Sequence, residues 1–104
     1  MKHEYNKLVR DKIPEIIKES GRNCDYRILE ASEMKEALKV KLIEKAEVFA
    51  KKPNEDELSD LYEIMSAIVK YYDFEPMHID YLKIENKEKK GSYAGKTFLV
   101  SVDD

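Results

Sequence analysis

The chain has 104 residues, which argues for one domain holding a modest core. Charged residues make up 39% of it and apolar residues 42%, with a net charge of −3; this fits a helical protein with charged outer faces and argues against a non-specific nucleic-acid binder. Cys24 is the single cysteine, which excludes an intramolecular disulfide and a cysteine-rich zinc site within one chain.

The first twenty residues are studded with charge, unlike a signal peptide. No apolar run approaches the roughly 20 residues that span a bilayer. The expected setting is the cytoplasm, with no membrane partner.

The stretch YNKLVRDKIPEII, Tyr5 to Ile17, sets Lys7, Arg10 and Lys12 among apolar residues ahead of Pro14. Proline suits a first helical turn, where its missing N–H costs nothing. Ile13, Ile16 and Ile17 give that short helix an apolar side, and Gly21 is its expected stop. CDYRILE, residues 24–30, alternates and predicts a short strand with Tyr26 and Ile28 on one side. Ser32 is the expected N-cap of a long helix whose apolar positions are Met34, Leu38, Leu42, Ala46 and Phe49. Pro53 interrupts, and Asn54 caps a second long helix with a stripe of Leu58, Leu61, Ile64, Met65, Ile68 and Tyr72. So short a link predicts an antiparallel hairpin. Pro76 opens a third segment with Met77, Ile79, Tyr81, Leu82 and Ile84 as apolar candidates. Gly91 and Gly95 bracket a loop. KTFLVSV then reads as a terminal strand, with Phe98, Val100 and Val102 on one face, available to pair near Tyr26.

The expected fold is therefore mainly α: a single domain over 1–104, built on a helical hairpin with a minor two-stranded β element. One hairpin offers a thin core, so a symmetric dimer through the apolar stripes is expected.

Glu44, Glu47, Glu57, Asp60 and Glu63 all fall on the two long helices. Hard cations such as Mg²⁺ take several oxygens at once. With Leu61 as the stripe centre, Glu57 lies about 40° and Asp60 about 100° to one side, on the flank of the buried face. With Leu42 as centre, Lys45 lies about 60° and Val48 about 120° to one side, while Glu44 and Glu47 point roughly 140–160° away. Asn54-x-x-Glu57 also fits a capping box, in which Glu57 satisfies a backbone N–H. The two roles of Glu57 are compatible. For Glu44, Glu47 and Glu63 the plain alternative is a solvated face.

NKLVRDKIP, followed by KLIEKAEVF, DELSDLYEI and GSYAGKTFL, resembles the small MazG-like proteins of the all-α nucleoside triphosphate pyrophosphohydrolase superfamily, often labelled phosphoribosyl-ATP pyrophosphohydrolase-like. The resemblance covers nearly the whole chain, with Ser92 in place of the family's second glycine. It implies Mg²⁺-dependent hydrolysis of a nucleoside triphosphate to a monophosphate and pyrophosphate, by dimers or tetramers. The family's metal motif is Glu-Glu-x-x-Glu on one helix and Glu-x-x-Asp on the next. Mapped without gaps, Glu44, Glu57 and Asp60 match as catalytic and metal-binding residues, while Lys45 and Val48 replace two glutamates. Lys7, Arg10, Lys12, Lys87 and Lys90 are then candidates for holding phosphate, arginine because its fork bonds phosphate oxygens in pairs. Arg10 is equally suited to tying the N-terminal segment onto the hairpin. Three readings stand at this point: a hydrolase, a degenerate relative that binds a nucleotide or protein partner without hydrolysis, and a purely structural helical module. The replacement at Lys45 predicts an ion pair to Glu57 or Asp60 and weak or absent Mg²⁺ binding.

Overall fold

The computed structural model describes residues 4–103. Four helices follow one another: α1 (Ile13–Glu19), α2 (Ala31–Lys51), α3 (Glu55–Tyr71) and α4 (Pro76–Lys90). The chain divides into two compact units, one closing at Asp73 and the other starting at Phe74.

Local chemistry sets the boundaries in the first unit. Pro14 sits in the first turn of α1, where no N–H is needed. The helix ends as Gly21 takes φ +88, a left-handed conformation that costs glycine nothing. Asn54 caps α3: its side-chain oxygen accepts the Glu57 backbone N–H at 2.9 Å. Residues 52–54 are the whole link between α2 and α3, and the two helices pack against each other. At the far end of the pair, the Tyr72 hydroxyl donates to the Lys35 carbonyl at 3.0 Å, and the Lys35 ammonium lies 5.6 Å from the Tyr72 ring centre. The expected hairpin is present.

Its core is small. Leu38 is 2% exposed and Ile64 9%, and no other described residue is as buried. Met34, Leu42 and Phe49 on α2, Leu61 and Ile68 on α3, and Tyr72 at its C-cap are half-buried around them. Ala46, Leu58 and Met65, expected in the stripes, are exposed.

The second unit has α4, opened by Pro76 as expected, and the segment after it. Gly91 ends α4 with φ +84, and its N–H returns to the Lys87 carbonyl at 2.8 Å. None of α4 is buried.

Two expectations are corrected. No described residue lies in a strand, so the two-stranded β element is absent and the described fold is all-α. Tyr26 and Ile28 in the first proposed strand, and Phe98, Val100 and Val102 in the second, are exposed. Alternation makes a segment fit to pair, but a strand exists only where a neighbour supplies the ladder. The cap of α2 is also not Ser32. The helix starts at Ala31, with Glu30 as N-cap, and the Glu30 backbone N–H donates to the Glu33 carboxylate at 3.1 Å. Arg27 bonds the same carboxylate at 2.8 and 3.2 Å.

The hydrogen bonds from Arg27, and then the Glu30 N–H, hold the Glu33 carboxyl well down, at about 2. A carboxyl held lower in the folded chain stabilises it above the ordinary carboxyl pKa, and that help is lost as pH falls toward the folded value. The first turn of α2 is therefore expected to loosen between about pH 4.5 and 2. NMR shifts of Met34–Ala37 followed through this window are expected to move with the Glu33 titration, and Glu33→Gln is expected to abolish that movement.

Candidate ion-pair and metal site

The first turn of α3 carries Glu55, Asp56 and Glu57, where a helix N-terminus favours negative charge. One turn on, Asp60 comes round beneath Asp56. Asp56, Glu57 and Asp60 each bring a carboxylate oxygen within 4.8 Å of the others. Of these, Asp56 is exposed and the other two are half-buried.

Asp60 is paired twice. Arg10 bonds its Oδ1 at 2.6 Å, and Lys45 lies 3.5 Å from its Oδ2. Arg10 comes from the N-terminal segment and Lys45 from α2, so one carboxylate joins three parts of the chain. The expected Lys45 pair is thus made, with Asp60 as its partner. Lys45 and Asp60 both keep only about a quarter of their side-chain surface exposed, 28% and 24%.

Glu57 stands differently. Its Oε2 is buried and has no hydrogen-bond partner. The capping box is half made: Asn54 takes the Glu57 N–H, and no return bond from the Glu57 side chain is present. A buried carboxylate oxygen without a donor is costly.

Glu44 lies outside this cluster. Lys7 approaches its Oε1 at 3.5 Å and Lys41 its Oε2 at 3.3 Å. Partial desolvation pushes the Glu44 carboxyl up, but Lys41 and Lys7 outweigh it and hold the group below the usual carboxylate range. Glu44 is half-buried rather than fully turned to solvent, whereas Glu47 and Glu63 are exposed as the plain alternative has it. Lys12 is the N-cap residue of α1 and exposed. Lys87 and Lys90 are in the last turn of α4, in the second unit, both exposed. Lys87 also lines a shallow groove there with Asp80, Lys83 and Ile84.

Two of the three front cations therefore have partners in the hairpin: Lys7 meets Glu44 and Arg10 meets Asp60. Asp56 is a member of the cluster beyond the residues expected. Its signal was the four-residue spacing to Asp60, which places both on one helical edge.

The three carboxylates of α3 could coordinate a divalent ion from one side. A divalent ion held on this face by Asp56, Glu57 and Asp60 would complete its coordination with water. On the facing helix, a lysine stands where a further carboxylate would close the site.

Arg10 and Asp60 test how the front segment is held. Exposed pairs contribute about 0.2–1 kcal/mol, and Arg10 keeps 58% of its side-chain surface exposed. A double-mutant cycle over Arg10→Ala and Asp60→Ala, read by denaturant unfolding, is expected to give a coupling in that range. Arg10→Ala is also expected to speed proteolysis between Tyr5 and Lys12, without changing the cleavage rate within α2 and α3.

Comparison with known proteins adds no relative: no family model, no curated protein and no solved structure matches the chain.

Proposed function

We propose that this protein is a relative of the nucleoside triphosphate pyrophosphohydrolases that binds a nucleotide without hydrolysing it. The observation that carries this reading is the double pairing of Asp60. Both of its oxygens already face protein cations, Arg10 at 2.6 Å and Lys45 at 3.5 Å. In the resembled motif, Lys45 replaces a metal-binding glutamate. An ammonium there repels a metal ion and neutralises the carboxylate that would hold it.

The same cations suit a phosphate chain. Arg10 is more than half exposed and has donors beyond the one given to Asp60. Lys7 is also more than half exposed, beside Glu44. A polyphosphate exchanging with these carboxylates would gain charge-assisted bonds from both residues.

A second reading, Mg²⁺-dependent hydrolysis, is favoured by one observation: the buried, unpartnered Oε2 of Glu57 beside Asp56 and Asp60. In that reading Asp56, Glu57 and Asp60 would hold the ion, which when bound supplies neutralising charge to the phosphates and a more acidic water. Glu57 would position its free oxygen toward the ion, and Arg10 would orient the phosphates.

Pyrophosphate release from a panel of nucleoside triphosphates with Mg²⁺ separates the two. The expected result is no release above background, together with calorimetric binding of a nucleotide in metal-free buffer. Arg10→Ala is expected to weaken that binding by about ten- to a hundredfold, since a hydrogen bond to a charged group contributes about 1.5–3 kcal/mol. Turnover that disappears in Glu57→Gln would establish the hydrolase instead. Absence of both turnover and nucleotide binding would leave the helical-module reading.

Restoring the two carboxylates gives a second test. Lys45→Glu with Val48→Glu is expected to make the melting temperature rise with Mg²⁺, because an ion bound only by the folded form adds about 2.7 kcal/mol at 100 times its Kd. The unchanged protein is expected to show little rise in the same titration.

A further inference from the structure

The segment ahead of α1 meets both helices of the hairpin and is held there by little. Residues 4–12 form no helix or strand, and all of them but Leu8 are exposed. Among the described residues, no backbone hydrogen bond joins 4–9 to the rest of the chain. The fasteners are one half-buried leucine and two ion pairs, Lys7 to Glu44 on α2 and Arg10 to Asp60 on α3. Lys7 keeps 52% of its side-chain surface open and Arg10 58%, so water and salt reach both pairs. Behind them the Ile13 N–H returns to the Arg10 carbonyl at 3.1 Å, a turn placed to act as a hinge at the start of α1.

The carboxylates beneath do not depend on this segment. Lys41 lies 3.3 Å from Glu44 and Lys45 lies 3.5 Å from Asp60, both lysines being on α2. They are the less exposed cations, at 15% and 28%. Each carboxylate thus has one cation from the segment and one from the hairpin. When the segment leaves, neither carboxylate loses its last counter-ion. An anion is also discouraged from settling on Lys7 and Arg10 where they lie. Glu44 and Asp60 stand against them, with Asp56 and Glu57 beside Asp60, and all four repel it.

We infer that residues 4–10 are a strap that a polyphosphate lifts from the hairpin. Lys7 and Arg10 exchange their carboxylates for phosphate oxygens, and Lys41 and Lys45 remain as the counter-ions of Glu44 and Asp60. This rests on the nucleotide-binding reading and adds a conformational step to it. A ligand that takes one cation leaves the other pair fastened, so the occupant is a chain of phosphates and not a single one. Charge-assisted bonds to carboxylate are given up for charge-assisted bonds to phosphate, and the cost of opening lowers the apparent affinity.

Chymotrypsin cuts after Tyr5 and Leu8, not at the cations themselves, and so reads the strap in the unchanged protein. Inorganic tripolyphosphate is expected to speed cleavage after Leu8 about fivefold or more, the weight of two exposed pairs, with no change within α2 and α3. Calorimetry in metal-free buffer reports its binding alongside. Glu44→Gln with Asp60→Asn unfastens the strap without a ligand. In that variant Leu8 is expected to be cut fast from the start, and tripolyphosphate is expected to leave the rate unchanged and to bind more tightly than before. Circular dichroism checks that its helices are kept; should it unfold, cleavage of the unchanged protein decides. Tripolyphosphate that binds while cleavage stays constant or slows overturns the strap and leaves nucleotide binding standing. Equal acceleration by sodium chloride at the same ionic strength, or weaker binding to the folded variant, overturns it too. Failure of tripolyphosphate to bind overturns the strap, and failure of the nucleoside triphosphates as well overturns the reading it rests on.

Discussion

The packing of α2 on α3 around Leu38 and Ile64 is the constraint on which the rest of the first unit depends. It turns two consecutive helices into facing walls, and only then can Lys45 on one wall reach Asp60 on the other. Arg10 closes the same point from outside, and Lys7 does likewise at Glu44. The polar site is a by-product of an apolar decision: where the stripes meet fixes which charges become neighbours. Two well-buried side chains are a slender basis for it. The caps and the Tyr72–Lys35 bond at the two ends of the hairpin therefore matter more than they would in a larger core.

Charge in this molecule is organised as local neutralisation. Glu33 is answered by Arg27, Glu44 by Lys41 and Lys7, Asp60 by Arg10 and Lys45. Glu57 differs from these: no donor reaches its buried Oε2. The contrast between Asp60 and Glu57, three residues apart on one helix, is what makes the site interesting chemically. One carboxylate has two counter-ions supplied by the chain, and the other has a buried oxygen without a donor.

Much of this was legible beforehand, and the reasons differ by feature. Asn54, Pro53, Pro14 and the periodic apolar residues report local preferences, so the hairpin and its cap could be read directly. Lys45 beside Asp60 followed from facing angles, because both residues sit on regular helices whose geometry carries over three or four turns. The two expected strands failed for the opposite reason. KTFLVSV and CDYRILE have the right alternation, but pairing is a relation between segments and no single segment encodes it. The cap of α2 slipped by two residues because an acidic side chain at Glu33, anchored by Arg27, did what a serine was expected to do. Asp56 was overlooked because it opens a helix, where acidic residues are common and individually uninformative.

The stretch Phe98–Val102 has a consequence for how this protein behaves in bulk. It is short, rich in strand-forming side chains, free of proline and charge, and open to water along its length. Such segments template fibrillar stacking when identical copies meet. Here Lys96 and Asp103 flank it as gatekeepers, one cationic and one anionic, and are both exposed. Two opposite charges repel an in-register parallel neighbour but attract an antiparallel one, so the guard works in only one orientation. The colloidal lifetime of concentrated solutions is thus tied to ionic strength, through a five-residue stretch far along the chain from the hairpin.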